Sequence, residues 1–333
     1  MIFDNEKQMQ CWVIFDGSTE GTDPGAYEAR RLIEAGRRKD IQMRVIRPEQ
    51  FDLIVTDDDR RSVLIDGTVA RLPDFVLTRI SGDVNYFTMA VLRHLERLGV
   101  PTYNKSAAVE SVKDKLHSQQ ILAESGLPVP TTMLGKFPVD VQLVKRVIGF
   151  PVVVKTLVGT HGHGVFLCEN EQNFEDLMQL IRQTSQDSVQ LLFQEFIATS
   201  RGRDLRVMVI DGKVVAAMER RAANGGFKAN FSQGGSVRPF KLSPVLEELA
   251  LATARTLDLD ITGIDLLFDG KKGYKICEAN SAPDFKGLES CCDVSVADEI
   301  LDSMLKRVRD RQEISTTNIT DFAMLRRKAR LST

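Results

Sequence analysis

Two carboxylates and a carboxamide carry the first chemical signal in this chain. Asp265 lies in Gly263-Ile264-Asp265-Leu266-Leu267-Phe268, and Glu278 and Asn280 lie in Tyr274-Lys275-Ile276-Cys277-Glu278-Ala279-Asn280. Between them stands Asp269-Gly270-Lys271-Lys272-Gly273, so the two runs read as a β-hairpin. A loop symmetric about Lys271 and Lys272 sets Asp265 opposite Glu278, and the two-residue period of a strand turns Asn280 to the same face. Two acids set among Ile, Leu and Cys repel unless a cation lies between them. An all-oxygen set suits Mg2+, which takes one or two protein carboxylates and leaves its other positions to water and phosphate. An exposed hairpin with scattered acids is the competing account.

A second group of residues has the chemistry of phosphate binding. Val152-Val153-Val154 ends in Lys155, and the loop beyond carries Gly159, Gly162 and Gly164. Glycine lets backbone N–H groups approach an anion with no Cβ in the way, so this loop reads as a lid over phosphates. It is not a P-loop, because the lysine precedes the glycines and no Gly-Lys-Ser/Thr follows. A glycine hairpin without a ligand stands against the lid. His161 and His163 share one side of an extended loop without a third ligand, and are read as exposed loop histidines. Lys115, one turn into a helix opening at Ser111, can meet a phosphate or simply be solvated. Gln194, Glu195 and Phe196 close an apolar strand that could face a flat heterocycle; a plain hinge fits as well. Arg206 and Arg220 lie near the facing ends of two strands joined at Asp211-Gly212, within reach of a triphosphate. A surface charge ladder is the equal alternative there.

These side chains need elements to hold them. Cys11 to Phe15 reads as a buried strand, followed by a helix from about Pro24 to Gly36 and strands at Met43–Ile46 and Phe51–Val55. A hairpin turning at Asp57-Asp58-Asp59 fills 53–70 and makes the sheet mixed. Phe75–Thr78 is a further strand and Tyr86–Leu98 a helix. That alternation predicts a small α/β domain over 1–104. Arg79, just past a strand end, is a candidate for an acidic substrate group, with a plain salt bridge as its rival. A central unit with the glycine loop is expected over 105–192. A strand-rich unit with the carboxylates is expected over 193–310, with long helices at Pro244–Leu257 and Val296–Val308. Residues 311–333, rich in base (Arg326, Arg327, Lys328, Arg330), form a tail. The fold class is thus α/β and α+β.

Composition limits the function. The chain has 333 residues, 43% hydrophobic and 27% charged, enough for two or three packed domains. A formal net charge of -2 argues against a nucleic-acid footprint. No apolar run approaches the ~20 residues that span a bilayer, and Met1–Gln10 lacks the layout of a signal peptide. Five cysteines without metal-type spacing point to reduced thiols and a cytoplasmic setting.

Taken together, these blocks resemble the ATP-grasp superfamily, and within it the RimK-type carboxylate–amine ligases. The resemblance runs from about Thr78 to Leu305. It is most specific in Lys-Asp-Lys-Leu-His-Ser (113–118), Val-Val-Val-Lys with the glycine loop (152–164), Gly-Arg-Asp-Leu-Arg (202–206) and Ala-Ala-Met-Glu-Arg-Arg (216–221). It continues through Phe-Lys-Ala-Asn-Phe-Ser-Gln-Gly-Gly (227–235) and the hairpin to Glu289. The resemblance implies an ATP-grasp fold behind an N-terminal pre-ATP-grasp domain. It also implies ATP with two Mg2+ ions, Mn2+ being able to stand in. Lys115 and Lys155 would contact ATP phosphates, Gly162 would belong to the lid, and Gln194, Glu195 and Phe196 would line the adenine cleft. Asp204 would hold the ribose end, and Arg206 and Arg220 would face the transferred groups. Lys228 and Asn230 would close on nucleotide and acyl phosphate, with Asp265, Glu278 and Asn280 on the metals. Relatives often have Arg-Ser-Asn or Gln-Ser-Asn where Lys228-Ala229-Asn230 stands, and the ribosomal-protein ligases have arginine where Gln233 stands.

The expected reaction is ATP-dependent amide formation through an acyl phosphate, with glutamate as the amine and a peptide or small carboxylate as acceptor. Rival readings keep the chemistry with another amino acid or an intramolecular peptide link, or make the chain an inactive ATP-binding regulatory module. A homo-oligomer is suggested by resemblance alone; no nucleic acid or membrane partner is expected.

Overall fold

The computed structural model describes residues 8–22, 25–57, 62–80, 85–157, 164–184, 190–223, 226–227, 229, 234–270 and 273–311. The chain opens with β1 (Met9–Phe15), α1 (Ala26–Arg38) and β2 (Ile41–Ile46). Three short strands follow, β3 (Phe51–Leu53), β4 (Val63–Ile65) and β5 (Thr68–Val69), then β6 (Phe75–Arg79), α2 (Tyr86–Arg97) and β7 (Thr102–Tyr103). The main sheet has the order β2-β1-β6-β7, all parallel. The expected mixed sheet is corrected here: β3, β4 and β5 form their own antiparallel sheet. Their apolar residues Phe51, Val63 and Ile65 pack onto Trp12, Ile14 and Ile46, so they cover a face of the parallel sheet instead of extending its edge. On β1, Trp12 and Ile14 fill that core while Cys11, Val13 and Phe15 fill another with α1, so both faces are covered and the run reads as continuously apolar.

Two helices, α3 (Ser106–Lys113) and α4 (Lys115–Glu124), stand where one was expected from Ser111. Asp114, with ψ 105, interrupts the helix, and its carboxylate accepts the N–H groups of Leu116 and His117. Next come β8 (Thr132–Gly135), α5 (Val141–Val147), β9 (Val152–Thr156), β10 (Val165–Cys168), α6 (Glu171–Thr184) and β11 (Leu191–Glu195). Their antiparallel sheet has the order β10-β9-β11-β8, cored by Val152, Val154, Phe174 and Phe193. β11 carries its sheet on to Glu195, while Ala108, Val112 and Leu122 of the two helices pack with Leu205 and Val207 beyond it.

The last part comprises β12 (Arg203–Ile210), β13 (Lys213–Arg221), β14 (Ser236–Pro239), α7 (Pro244–Thr256), β15 (Ile261–Phe268), β16 (Tyr274–Asn280), α8 (Lys286–Cys291) and α9 (296–311). Its antiparallel sheet runs β14-β13-β12-β15-β16. On β12, Leu205, Val207 and Val209 face the α7 core. The other face carries Asp204 and Arg206 at one end and Met208 and Ile210 at the other. Those two apolar residues join a core shared with β1 and α9. One face of one strand thus serves the cleft at its start and the domain junction at its finish. The basic stretch expected as a tail lies, but for Arg311, outside the described residues. No helix among them is long and apolar enough to cross a membrane, and all five cysteines are free.

Candidate active site

One cavity of about 1490 Å³ is lined by Lys115 and Lys155 together with Arg206, Arg220, Asp265 and Glu278. The hairpin delivers the predicted pair by an unpredicted route. β15 and β16 pair Phe268 with Tyr274 and Leu266 with Ile276, one residue out of the register that would set Asp265 opposite Glu278. The register then shifts by one residue at Cys277, and Asp265 meets Glu278 after all. This bulge leaves Ile276 and Ala279 in the core and turns both Cys277 and Glu278 to the cavity. Asn280 shares the Glu278 face, its Nδ2 lying 3.5 Å from Oε1 and 3.3 Å from the Gly263 carbonyl.

The patch around Asp265 is not apolar, and this corrects the expectation of two acids repelling in isolation. Arg206 Nε and Nη2 donate to Asp265 Oδ1 and Oδ2 at 2.8 Å each. Arg220 Nη2 reaches Asp265 Oδ2 at 2.8 Å and grips Asp204 with Nε and Nη2 at 2.7 and 2.8 Å. Sheet register explains the contact, since Arg206 pairs with Asp265 across β12 and β15, and Asp204 with Arg220 across β12 and β13. Arg220 and Asp265 are 5% and 3% exposed, which disposes of a surface ladder. Burial alone would raise Asp265, but Arg206 and Arg220 outweigh it and hold the carboxyl well below the usual range. Burial pushes Asp204 up against the pull of Arg220. Arg220 is itself raised, the two carboxylates overcoming its burial.

The lysines meet at the end of β9. Lys155 Nζ is 3.9 Å from Cys277 Sγ. Lys115 Nζ donates to the carbonyls of Thr156 and Leu157, both at 3.3 Å. It is the first residue of α4, not one turn inside, so its charge sits at the helix end that disfavours cations and those carbonyls help hold it. Burial pushes the Cys277 thiol up to about 11, with Lys155 pulling the other way. The thiol there stays neutral.

At the junction of the two sheets Glu195 accepts from Lys275 Nζ at 2.7 Å and Thr131 N at 3.0 Å. Burial works against its charge, yet these two donors keep its pKa below the usual value. Gln194 is buried and donates to Thr132 Oγ1 at 2.9 Å. Phe196 lies under the Arg201 guanidinium, whose Cζ is 5.7 Å from the ring centroid. Gly162, Lys228 and Asn230, like His161 and His163, lie outside the described residues.

Sequence reasoning passed over three contacts. Lys275 bridges the sheets to Glu195, Cys277 stands beside Lys155, and Arg206 Nη1 reaches the Asp284 carbonyl at 3.5 Å. The period-two pattern of β16 places Lys275 and Cys277 together, which was a usable signal; the Asp284 contact left none. Among the described residues no group of three or more His, Cys, Asp or Glu is assembled as a metal cage. Asp265, Glu278 and Asn280 nevertheless form an oxygen set of the kind Mg2+ takes alongside water and phosphate.

Comparisons with known proteins agree with this architecture. The RimK-like ATP-grasp domain matches residues 112–304 and the RimK pre-ATP-grasp domain matches 21–109. A probable alpha-L-glutamate ligase of Shewanella halifaxensis (strain HAW-EB4) is 36% identical over 288 residues, covering 86% of this chain but 62% of that longer protein. One from Legionella pneumophila (strain Corby) is 35% identical over 291 residues, covering 86% of this chain and 94% of its own. The ATP-grasp ligase PsnB, solved with a phosphomimetic variant of its minimal precursor, Mg and ADP, shares the fold. Its TM-score is 0.69 at 20% identity, over 90% of this chain and 99% of that one.

Proposed function

The chain belongs to the RimK-like ATP-grasp family of ADP-forming ligases, and from that premise we propose that it joins the α-amino group of L-glutamate to a carboxylate on a peptide or small metabolite. The observation that carries this reading is the shared cavity. It gathers Lys115 and Lys155, the Arg206–Asp265–Arg220 cluster, and Glu278 and Asn280 around one volume. The acceptor carboxylate attacks the γ-phosphorus of ATP, the bond to ADP breaks, and an acyl phosphate forms. The neutral amine then attacks the carbonyl carbon, inorganic phosphate leaves, and an amide remains.

No covalent chemistry is asked of the protein; it positions the reactants and neutralises charge. Lys115 and Lys155 take the phosphate tail, Gln194, Glu195 and Phe196 flank the base, and Asp204 stands on the ribose side. For Gly162, Lys228 and Asn230 the family resemblance supports contacts to nucleotide and acyl phosphate. Arg206 and Arg220 are locked by their carboxylate partners, so their positive charge is fixed before the transition state develops. Asp265, Glu278 and Asn280 would hold Mg2+, which supplies charge neutralisation to the phosphates when bound.

A screen of the twenty amino acids, with and without candidate carboxylates, measures ADP and phosphate release and is followed by mass analysis of products. Glutamate-dependent release with a matching mass gain is the expected outcome. ADP formed without consumption of an amine would make the protein a kinase. Tight ATP binding with no release under any combination would leave a nucleotide-binding module.

A further inference from the structure

Arg79 ends β6 with a guanidinium whose bonding the fold leaves incomplete. The residue is 4% exposed, and its Nη1 donates to the Pro283 carbonyl at 2.9 Å. Among the described residues, Nε and Nη2 have no hydrogen-bond partner. Asp284 Oδ1 stands 3.9 Å from Nη2, in ion-pair range but outside hydrogen-bonding distance. Nε and Nη2 form the side-on edge of a guanidinium, the edge that fits a carboxylate with two parallel bonds. Arg206 and Arg220 use that same edge on Asp265 and Asp204. On Arg79 it is buried and empty, and a buried donor edge of this kind calls for a partner.

Its position says where the partner comes from. The sheet order β2-β1-β6-β7 changes direction between β1 and β6, and Arg79 pairs with Phe15 at the carboxyl ends of those strands. Open α/β sheets take ligands in that crevice. α1 begins over the same spot. Its N-cap Gly25 has φ 80 and no side-chain cap, and a Cβ added there would stand 2.9 Å from Phe15 Cε2. Glu28, in the first turn, accepts the N–H groups of Phe285 and Lys286 at 2.9 and 3.1 Å and ties the helix start to the loop beside Arg79. Gly25, Pro283, Asp284 and Lys286 line the cavity that also holds Asp265 and Glu278. Lys286 is exposed, its Nζ 5.8 Å from the Tyr27 ring centroid.

We propose that this crevice binds a substrate carboxylate that the reaction leaves unchanged, with Arg79 as its anchoring cation and Lys286 at its mouth. The carboxylate enters from the cavity side, past Asp284, and completes the Nε and Nη2 edge. The assignment of that carboxylate to a substrate rests on the ligase reading, whereas the binding itself does not.

The test is calorimetric binding of L-glutamate and of glutarate to the full chain with Mg2+ and a non-hydrolysable ATP analogue. Each is measured for wild type, Arg79→Met, Arg79→Lys and Lys286→Met. Arg79→Met is expected to weaken carboxylate binding about 10–100-fold, the scale of a lost bidentate charged pair, while affinity for the ATP analogue stays unchanged and shows the variant folded. Arg79→Lys keeps the charge but lacks the fork, and should recover little of the loss. It also carries the test if the methionine variant fails to fold. Lys286→Met should cost a few-fold. Binding of glutamate alone assigns the crevice to the amine donor, and equal binding of glutarate assigns it to the acceptor; both support the site. Wild-type affinity in both Arg79 variants, or no binding of either compound to wild type, overturns it. Ligation that proceeds with an unchanged KM in Arg79→Met would sink the crevice and spare the ligase. Arg79-dependent binding with no ADP release from any amino acid would do the reverse.

Discussion

Strand β12 begins and ends in arginine–carboxylate clusters of the same composition type but opposite use. At its start, Arg206 and Arg220 hold Asp204 and Asp265, and a third carboxylate, Glu278, looks into the cavity. Past its end, Arg307 on α9 holds Asp211 and Asp260. There Ser303 donates to Asp211 Oδ2 at 2.9 Å, and the Tyr103 ring lies 5.4 Å from the guanidinium. Each cluster carries one more carboxylate than guanidinium. In the rear cluster the surplus is sealed in: among the described residues the buried Asp260 Oδ2 has no partner, and burial raises the Asp260 pKa against the pull of Arg307. In the cleft the surplus is Glu278, which faces open volume. An unanswered charge beside a cavity is an invitation to a cation; one behind a helix is only a strain on the fold.

The largest expected effect comes from breaking the cleft cluster at its centre. Asp265→Asn leaves the buried Arg220 and the half-buried Arg206 short of a counter-charge and should lower stability by about 3–5 kcal/mol, besides abolishing ligation. Denaturant unfolding and ADP release measure the two losses. The sign of the pH dependence follows from the depressed pKa. The contribution of Asp265 is fully present above its unfolded value near 3.8 and is lost as pH falls below that toward its lower folded value. Asp204, raised by burial, acts in the opposite sense. Unfolding midpoints between pH 3 and 7 should therefore fall less steeply toward acid in Asp265→Asn than in wild type.

Glu278→Gln separates chemistry from folding. Among the described residues its one recorded hydrogen bond is the 3.5 Å approach of Asn280, so stability should stay within about 0.5 kcal/mol of wild type. Turnover should nevertheless fall by roughly 10²-fold or more, the scale of one lost electrostatic group at a reacting centre. Near wild-type rates would contradict its place on the metal. Arg307→Ala should do the converse. It loses its bonds to Asp211 and Asp260 and costs about 1–2 kcal/mol once partial exposure is allowed for, while KM for ATP moves less than about twofold.

The same contrast shows what could be read from residues alone. Asp265, Glu278 and Asn280 were legible because a strand period and a short loop are local rules, and Asp211-Gly212 because a tight turn has its own residue signature. The bulge at Cys277 was not, since it arises from packing Ile276 and Ala279 into a core shared with α7. Asp204, Arg206 and Arg220 could each be picked out, but their mutual pairing depends on the order of β13, β12 and β15, which no local pattern encodes. The hairpin at 53–70 was recognised, and its partner sheet misjudged, for that reason. Glu28 binding the loop 257 residues away left no trace in either segment.

Asp260→Asn is the smallest and most discriminating change, because the two clusters predict opposite signs for removing a carboxylate charge. In the cleft such a change is ruinous. At the rear the amide oxygen can still accept from Arg307, while the charge that burial penalises is gone. The raised folded pKa means that native Asp260 binds its proton more readily than the unfolded chain does. Its charge therefore weighs against stability as pH rises through the folded value. Asp260→Asn should thus be neutral or more stable than wild type by about 0–1 kcal/mol at pH 7, with that advantage shrinking toward pH 4. Chemical denaturation at the two pH values reads the difference directly. A loss of several kcal/mol at pH 7 would mean that the rear carboxylate is as firmly needed as Asp265, and that burial alone does not separate the two ends of β12.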